Sequence, residues 1–183
     1  MLQINFNPFP TLFTERLVLR QIVADDEQDI FLIRGNKNTM KFIPRPLAKN
    51  LDDAQELITK VRVALHKNDG INWGIALKEN NKLIGMGGYH RITKEHYRAE
   101  IGYVLNSDFH RKGIITEALT EIIRFGFENL RFNSIEAVIS PANFASRSVI
   151  EKCKFEKEAH FKNREFYNER FNDILIYVLH QKK

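Results

Sequence analysis

The chain has 183 residues, the length of a single domain, since domains run to roughly 100–200 residues and a chain of this size buries about 70% of its unfolded surface. Its 43% hydrophobic, 11% aromatic and 28% charged residues exclude a disordered tail, a collagen-like repeat and a low-complexity linker. The only cysteine, Cys153, excludes an internal disulfide framework and a cysteine-only zinc site, and the net charge of +5 is compatible with nucleic acid, an acidic surface or a phosphorylated cofactor as partner.

The first ten residues place no basic residue ahead of an apolar run, and nowhere are there the ~18 uninterrupted apolar residues needed to span a bilayer. A cytoplasmic protein with no membrane partner is expected. No repeat, linker or charge block divides the chain, so residues 1–183 read as one domain, with residues 1–13 as an N-terminal extension. Leu17 and Leu19 alternate with Arg16, Val18 and Arg20, which predicts a half-buried strand over residues 14–23. Asp25 and Asp26 then cap a helix that runs to Arg34 and stops at Gly35 and Asn36. Ala54, Leu57, Ile58, Val61 and Leu65 recur at helical spacing over residues 51–66, behind Asp52 and Asp53 at the positive end of the helix dipole.

From Ile71 the period becomes two. Trp73, Ile75 and Leu77 alternate with smaller residues, a turn follows at residues 79–81, and residues 82–90 complete a hairpin. Residues 98–105 form the next strand, where the interior Gly102 marks a bulge or a close approach. A helix over 116–130, a strand over 134–140, a helix over 143–153 and two strands from 155 to about 179 complete the order βααβββαβαββ. This is an α/β (α+β) domain with a mixed, mostly antiparallel sheet flanked by helices.

The six histidines form no ligand pair and stand in no acidic cluster, so no metal is expected. No G-x-S-x-G elbow, phosphate loop or dinucleotide fingerprint occurs, and Cys153 reads as core. The informative stretch is residues 108–118, Asp-Phe-His-Arg-Lys-Gly-Ile-Ile-Thr-Glu-Ala. It leads from a strand through a basic turn into a helix start, where outward amides, the dipole and a close-approaching Gly113 make an anion site.

Residues 14–20 (TERLVLR), 99–105 (AEIGYVL), 110–118 (HRKGIITEA) and 143–155 (NFASRSVIEKCKF) together resemble the GNAT superfamily of acyl-CoA-dependent N-acetyltransferases, and within it the RimJ/RimL-type branch that acetylates protein N-termini. The resemblance implies a GNAT-like fold with a splayed central strand pair, acetyl-CoA as cosubstrate, and an amine acceptor such as a protein N-terminus. A homodimer is compatible with it. It also implies that Tyr103, Val104 and Leu105 face the pantetheine, that the amides of Arg111, Lys112, Gly113, Ile114, Ile115 and Thr116 hold the pyrophosphate, and that Asn143 touches the pantetheine. His110 replaces the family's Gln/Arg, Ile115 its second small residue and Lys154 the glycine before Phe155.

Acetyl transfer needs a neutral amine and a donor for the departing thiolate. Glu100 is the candidate base, acting through water on the family's pattern, and it stands on the face opposite Tyr103 unless a bulge at Gly102 changes the phase. The family's usual tyrosine acid falls at Ile150, so the branch's serine, Ser146, takes that part, with Ser148 and Tyr167 as reserve donors. The acceptor alternatives are a small amine (a polyamine, an amino acid or an aminoglycoside); Lys41, Arg45 and Lys49, with no carboxylate between Asn38 and Asn50, favour a peptide or acidic acceptor. A non-catalytic acyl-CoA-binding module and a nucleic-acid binder are the rival readings from other classes, the second disfavoured because Phe125, Phe127 and Phe132 fit apolar helical patterns.

Overall fold

The computed structural model describes residues 1–182. Eight strands form one sheet: β1 (Leu12–Phe13), β2 (Leu17–Gln21), β3 (Ile71–Leu77), β4 (Leu83–Thr93), β5 (Arg98–Leu105), β6 (Ser134–Ile139), β7 (Glu156–Tyr167) and β8 (Arg170–His180), in the spatial order β1-β2-β3-β4-β5-β6-β8-β7. Every pairing is antiparallel except β5 with β6. Five helices accompany the sheet: α1 (Glu27–Arg34), α2 (Lys37–Met40), α3 (Leu51–His66), α4 (Ile114–Glu128) and α5 (Phe144–Lys152).

Period-two alternation splits the core between the two faces of the sheet. Leu17, Leu19, Trp73, Ile75, Tyr89, Ala99 and Ile101 pack with Ala118, Leu119 and Ile122 of α4 and with Ile150 of α5. Ile22, Leu83 and Met86 pack on the other side with Ile30 and Ile33 of α1 and Ala54 and Ile58 of α3. Each fully buried Leu or Ile among these contributes about 1.5–3 kcal/mol, so the sheet is held from both faces.

Several expectations are corrected. Residues 1–13 do not hang free: Leu2, Phe6 and Leu12 are buried, the Trp73 indole N–H donates to the Pro10 carbonyl at 2.7 Å, and Leu12–Phe13 pair with β2. Asp26 does not cap α1 with its side chain; it faces back to accept from the Val23 amide and from both terminal nitrogens of Arg20. α4 starts two residues earlier than expected, at Ile114, because Gly113 adopts φ 75° and opens the helix. Lys154 supplies the left-handed turn after α5 at φ 69°, a conformation that favours glycine.

Candidate active site

The parallel pairing of β5 with β6 covers only Arg98, Ala99 and Glu100 against Ser134, Ile135 and Glu136. Beyond Glu100 the two strands part, so residues 101–105 keep their β4 partners on one edge and have none from β6 on the other. This is the expected splay. Exposed ladder groups of this kind take an extended, amide-bearing ligand as an added strand.

The exit of β5 forms an anion cradle. His110 donates its Nε2 hydrogen to the Leu105 carbonyl at 3.0 Å, and thereby ties the loop to the strand end. Arg111 at φ 60° and Gly113 at φ 75° are both left-handed. Gly113 adopts this conformation freely, whereas Arg111 holds it under strain, which is characteristic of binding turns. The first bond of α4 runs from the Glu117 amide to the Gly113 carbonyl at 3.0 Å. The amides of Ile114, Ile115 and Thr116 therefore have no intrahelical partner and lie at the positive end of the dipole. Ile114 and Ile115 bury their side chains in the core. The bulk of Ile115 thus turns away from the cradle, and its contribution there is its amide alone. Arg111 and Lys112 are exposed beside it.

Chain-distant residues clamp this turn. The Glu117 carboxylate accepts from Thr14 Oγ1 at 2.6 Å, the Arg16 amide at 2.8 Å and Arg16 Nε at 2.7 Å, while Arg16 Nη1 donates to the Lys112 carbonyl at 3.0 Å. Burial would raise the Glu117 carboxyl, but the bonds from Thr14 and Arg16 outweigh it and hold the group below its ordinary value. No local sequence pattern announces a clamp across 101 residues.

The alternation of β5 places its candidates on both faces. Tyr103 packs on the α4/α5 side, where its hydroxyl shares a 2.6 Å hydrogen bond with Ser146 Oγ. Burial pushes the phenol far above its usual value and the Ser146 bond only partly offsets this, so Tyr103 stays protonated. Asn143 caps α5 by accepting from the Ser146 amide at 3.1 Å, which fixes Ser146 in the first turn. Val104 points to the opposite face and packs with the α1/α3 cluster. Tyr103 and Val104 thus present side chains to opposite faces, and only their backbone lies along the free edge. Ser148 is exposed, and Tyr167 donates to the Arg45 carbonyl at 2.8 Å. Burial raises the thiol of Cys153, which disfavours a thiolate nucleophile.

Glu100 is on the face opposite Tyr103. The bulge lies not at Gly102 but in β4, opposite the step from Glu100 to Ile101, where the register shifts between Tyr89 and Arg91 and leaves His90 as the extra residue. The bulge sends the His90 side chain over β5, and its Nε2 meets Glu100 Oε1 at 3.0 Å. Arg91 lies 3.4 Å from the other carboxylate oxygen. Burial would raise the Glu100 carboxyl; the His90 hydrogen bond, the charge of Arg91 and the more remote Arg45 oppose that, and the group is held below its usual range. Sequence reasoning missed His90. Its signal was Gly102, whose hypothetical Cβ would sit 3.0 Å from His90 Nδ1.

A cleft of about 480 Å³ opens beside the fork, lined by Lys41, Phe42, Ile43 and Pro44, by residues 140–142 directly after β6, and by the β7/β8 hairpin. Arg170 adds a positive charge, and Glu165 and Asp173 add negative ones. Asp173 is already engaged by His160 Nε2 at 2.8 Å and the Asn163 amide at 2.9 Å.

Residues 16–156 match the family described as Acetyltransferase (GNAT) domain. The uncharacterized N-acetyltransferase YoaA of Bacillus subtilis is 31% identical over 171 residues, 93% of this chain and 97% of that one. The ribosomal-protein-serine acetyltransferase of Escherichia coli is 29% identical over 63% of this chain and 64% of its own length. The crystal structure of a GNAT-family acetyltransferase from Bacillus anthracis superposes with a TM-score of 0.84 at 26% identity, covering 93% of this chain and 98% of the other. Among the described residues no helix is long and apolar enough to cross a membrane.

Proposed function

Because the chain belongs to the GNAT acetyltransferase family and is an acetyl-CoA-dependent N-acetyltransferase, we propose that its acceptor is the α-amine of a protein or peptide N-terminus. The observation that carries this reading is the open cleft of about 480 Å³ beside the β5/β6 fork, which offers an acceptor the apolar side chains of Phe42 and Pro44 and the β7/β8 hairpin. The likeness to a ribosomal-protein-serine acetyltransferase supports it.

In this reading the free edge of β5 pairs with the pantetheine arm from residue 101 to Leu105. The amides of Ile114, Ile115 and Thr116, with Arg111 and Lys112, take the pyrophosphate. Acetyl-CoA supplies the acyl group, and transfer within one ternary complex forms the C–N bond as the C–S bond breaks. Ser146, oriented by Tyr103 and Asn143, donates a hydrogen to the departing sulfur. Glu100 governs removal of the amine proton on the other face.

A thiol-release assay with acetyl-CoA across N-terminal peptides, polyamines, amino acids and aminoglycosides tests the acceptor. The expected result is the highest kcat/KM on peptides with a free α-amine and none on the same peptides already N-acetylated. A polyamine or aminoglycoside preferred tenfold over every peptide overturns the reading and assigns Glu165 the role of holding a cationic acceptor.

A further inference from the structure

We propose that His90 is a catalytic residue that takes the acceptor's proton, with Glu100 as its positioning residue. The inference deepens the proposed acetyl transfer and rests on it.

Hydrogen-bond direction fixes the tautomer of His90. An ionised carboxylate only accepts, so the 3.0 Å contact with Glu100 Oε1 requires His90 Nε2 to carry the hydrogen. The neutral ring then has its lone pair on Nδ1. That nitrogen lies over Gly102, in the middle of the β5 segment whose outer edge is unpaired. A side chain at residue 102 would displace the ring, so glycine here makes room for an imidazole and not for strand flexibility. Among the described residues Nδ1 has no hydrogen-bond partner.

Glu100 is poorly suited to take the proton itself. Its side chain is 14% exposed, against 44% for His90, and its two oxygens face His90 and Arg91. A carboxylate held in this way fixes the tautomer and orientation of an imidazole and stabilises the imidazolium that forms. The charged groups around the pair are Arg91 on the same strand and Arg45 on the segment after α2. Both act on the carboxylate and help keep it ionised.

The proton count closes. An α-ammonium, ordinary pKa near 8, gives one proton to His90 Nδ1, and the free electron pair on nitrogen attacks the acetyl carbonyl carbon. As the C–S bond breaks, the sulfur gains a proton through Ser146, which is replenished from water. The second amine proton leaves to water, His90 releases its own, and the net products are amide, thiol and one proton.

The test uses the full chain and whichever amine in the panel turns over best, so failure of the peptide reading leaves this inference measurable. kcat/KM is followed from pH 5.5 to 9 for wild type, His90→Gln and Glu100→Gln, with acetyl-CoA affinity measured separately. His90→Gln is expected to lose about 100-fold or more at neutral pH, to lose the acid limb of the profile, and to bind acetyl-CoA within twofold of wild type. Glu100→Gln keeps the limb but moves it to lower pH, because a neutral amide no longer favours the imidazolium. ¹⁵N spectra of the wild type give a readout without turnover: they should show the His90 hydrogen on Nε2. The inference is overturned by a His90→Gln enzyme within threefold of wild type with its acid limb intact, by loss of that limb in Glu100→Gln alone, or by a His90 ring carrying its hydrogen on Nδ1. Absence of turnover with every amine removes the inference together with the activity.

Discussion

Tyr103→Phe removes one oxygen from a mostly buried site, and its consequences can be worked out from the geometry. The lost group makes the 2.6 Å bond to Ser146 Oγ and a longer 3.3 Å contact to the Ser146 carbonyl. A net hydrogen bond contributes about 1 kcal/mol, so stability falls by about that amount and Tm by roughly 2–4 °C for a chain of this size. The larger effect is on turnover. When Tyr103 donates to Ser146 Oγ, the serine hydrogen is left to point away from Tyr103 and is free for another acceptor; without that partner the hydroxyl rotates freely. Loss of about 1.4 kcal/mol of orientation corresponds to tenfold in rate. We therefore expect kcat to fall about tenfold while the KM for acetyl-CoA stays within twofold, because the cradle at the helix start is untouched. Steady-state thiol release on Tyr103→Phe, Ser146→Ala and the double variant is the assay. Since Tyr103 acts only through Ser146, the double variant should be no slower than Ser146→Ala. Additive losses, or an unchanged kcat in Tyr103→Phe, would refute the reasoning.

Glu117→Gln loosens the clamp from the N-terminal strand: the amide oxygen still accepts from Thr14 Oγ1 and the Arg16 amide, but the ion pair with the Arg16 side chain is lost, so stability should fall by about 0.5–1 kcal/mol because the half-exposed Arg16 side chain is screened, and this is read as a lower Tm by differential scanning calorimetry. Glu100 and Glu117 are both held below their ordinary value, so each contributes stability that is complete above about pH 4.3 and is lost as pH falls through the depressed folded value; the acid arm of a Tm-against-pH curve should therefore flatten in Glu117→Gln. Arg111→Ala with Lys112→Ala should weaken acetyl-CoA binding about tenfold or more at low salt and reduce its salt dependence, measured by calorimetry at two ionic strengths. Gly102→Ala forces His90 aside and should lower kcat/KM at neutral pH with acetyl-CoA affinity retained.

Long elements with a clear period were legible in the sequence. The spacing of Ala54, Ile58 and Leu65 delimits α3 at Leu51–His66, and the alternation around Ala99, Ile101 and Leu105 delimits β5 at Arg98–Leu105, both as observed. Two short elements escaped. β1 has two residues and α2 four, too few for either period to register. The cradle was readable because its parts are contiguous: basic turn, glycine and helix start lie within residues 110–116. The clamp and the His90–Glu100 pair were not, since both depend on register between separate segments. The glycine at 102 did signal a close approach, but one strand cannot reveal which neighbour makes it, or that the bulge falls in that neighbour.

The position of that bulge decides how the proton work is divided. Had it fallen in β5, Glu100 and Tyr103 would have come to one face, and proton acceptor and donor would have shared a single wall. With β5 unbroken, residues 100 and 103 project to opposite faces, and the extra residue of β4 carries His90 across to the Glu100 side. The strand thus lies between an imidazole–carboxylate pair on one face and a hydroxyl pair on the other. A thioester can meet both pairs only where β5 has no neighbour, and β6 leaves β5 immediately after Glu100. The break in pairing therefore does two things in the proposed reaction: it exposes the edge along which the pantetheine arm lies, and it opens a passage through which an amine on the His90 face can reach a carbonyl whose sulfur is attended from the Ser146 face. Pairing restored beyond Glu100 would close both together, so a substitution that draws β6 against Ile101 should abolish acetyl-CoA binding and turnover in parallel.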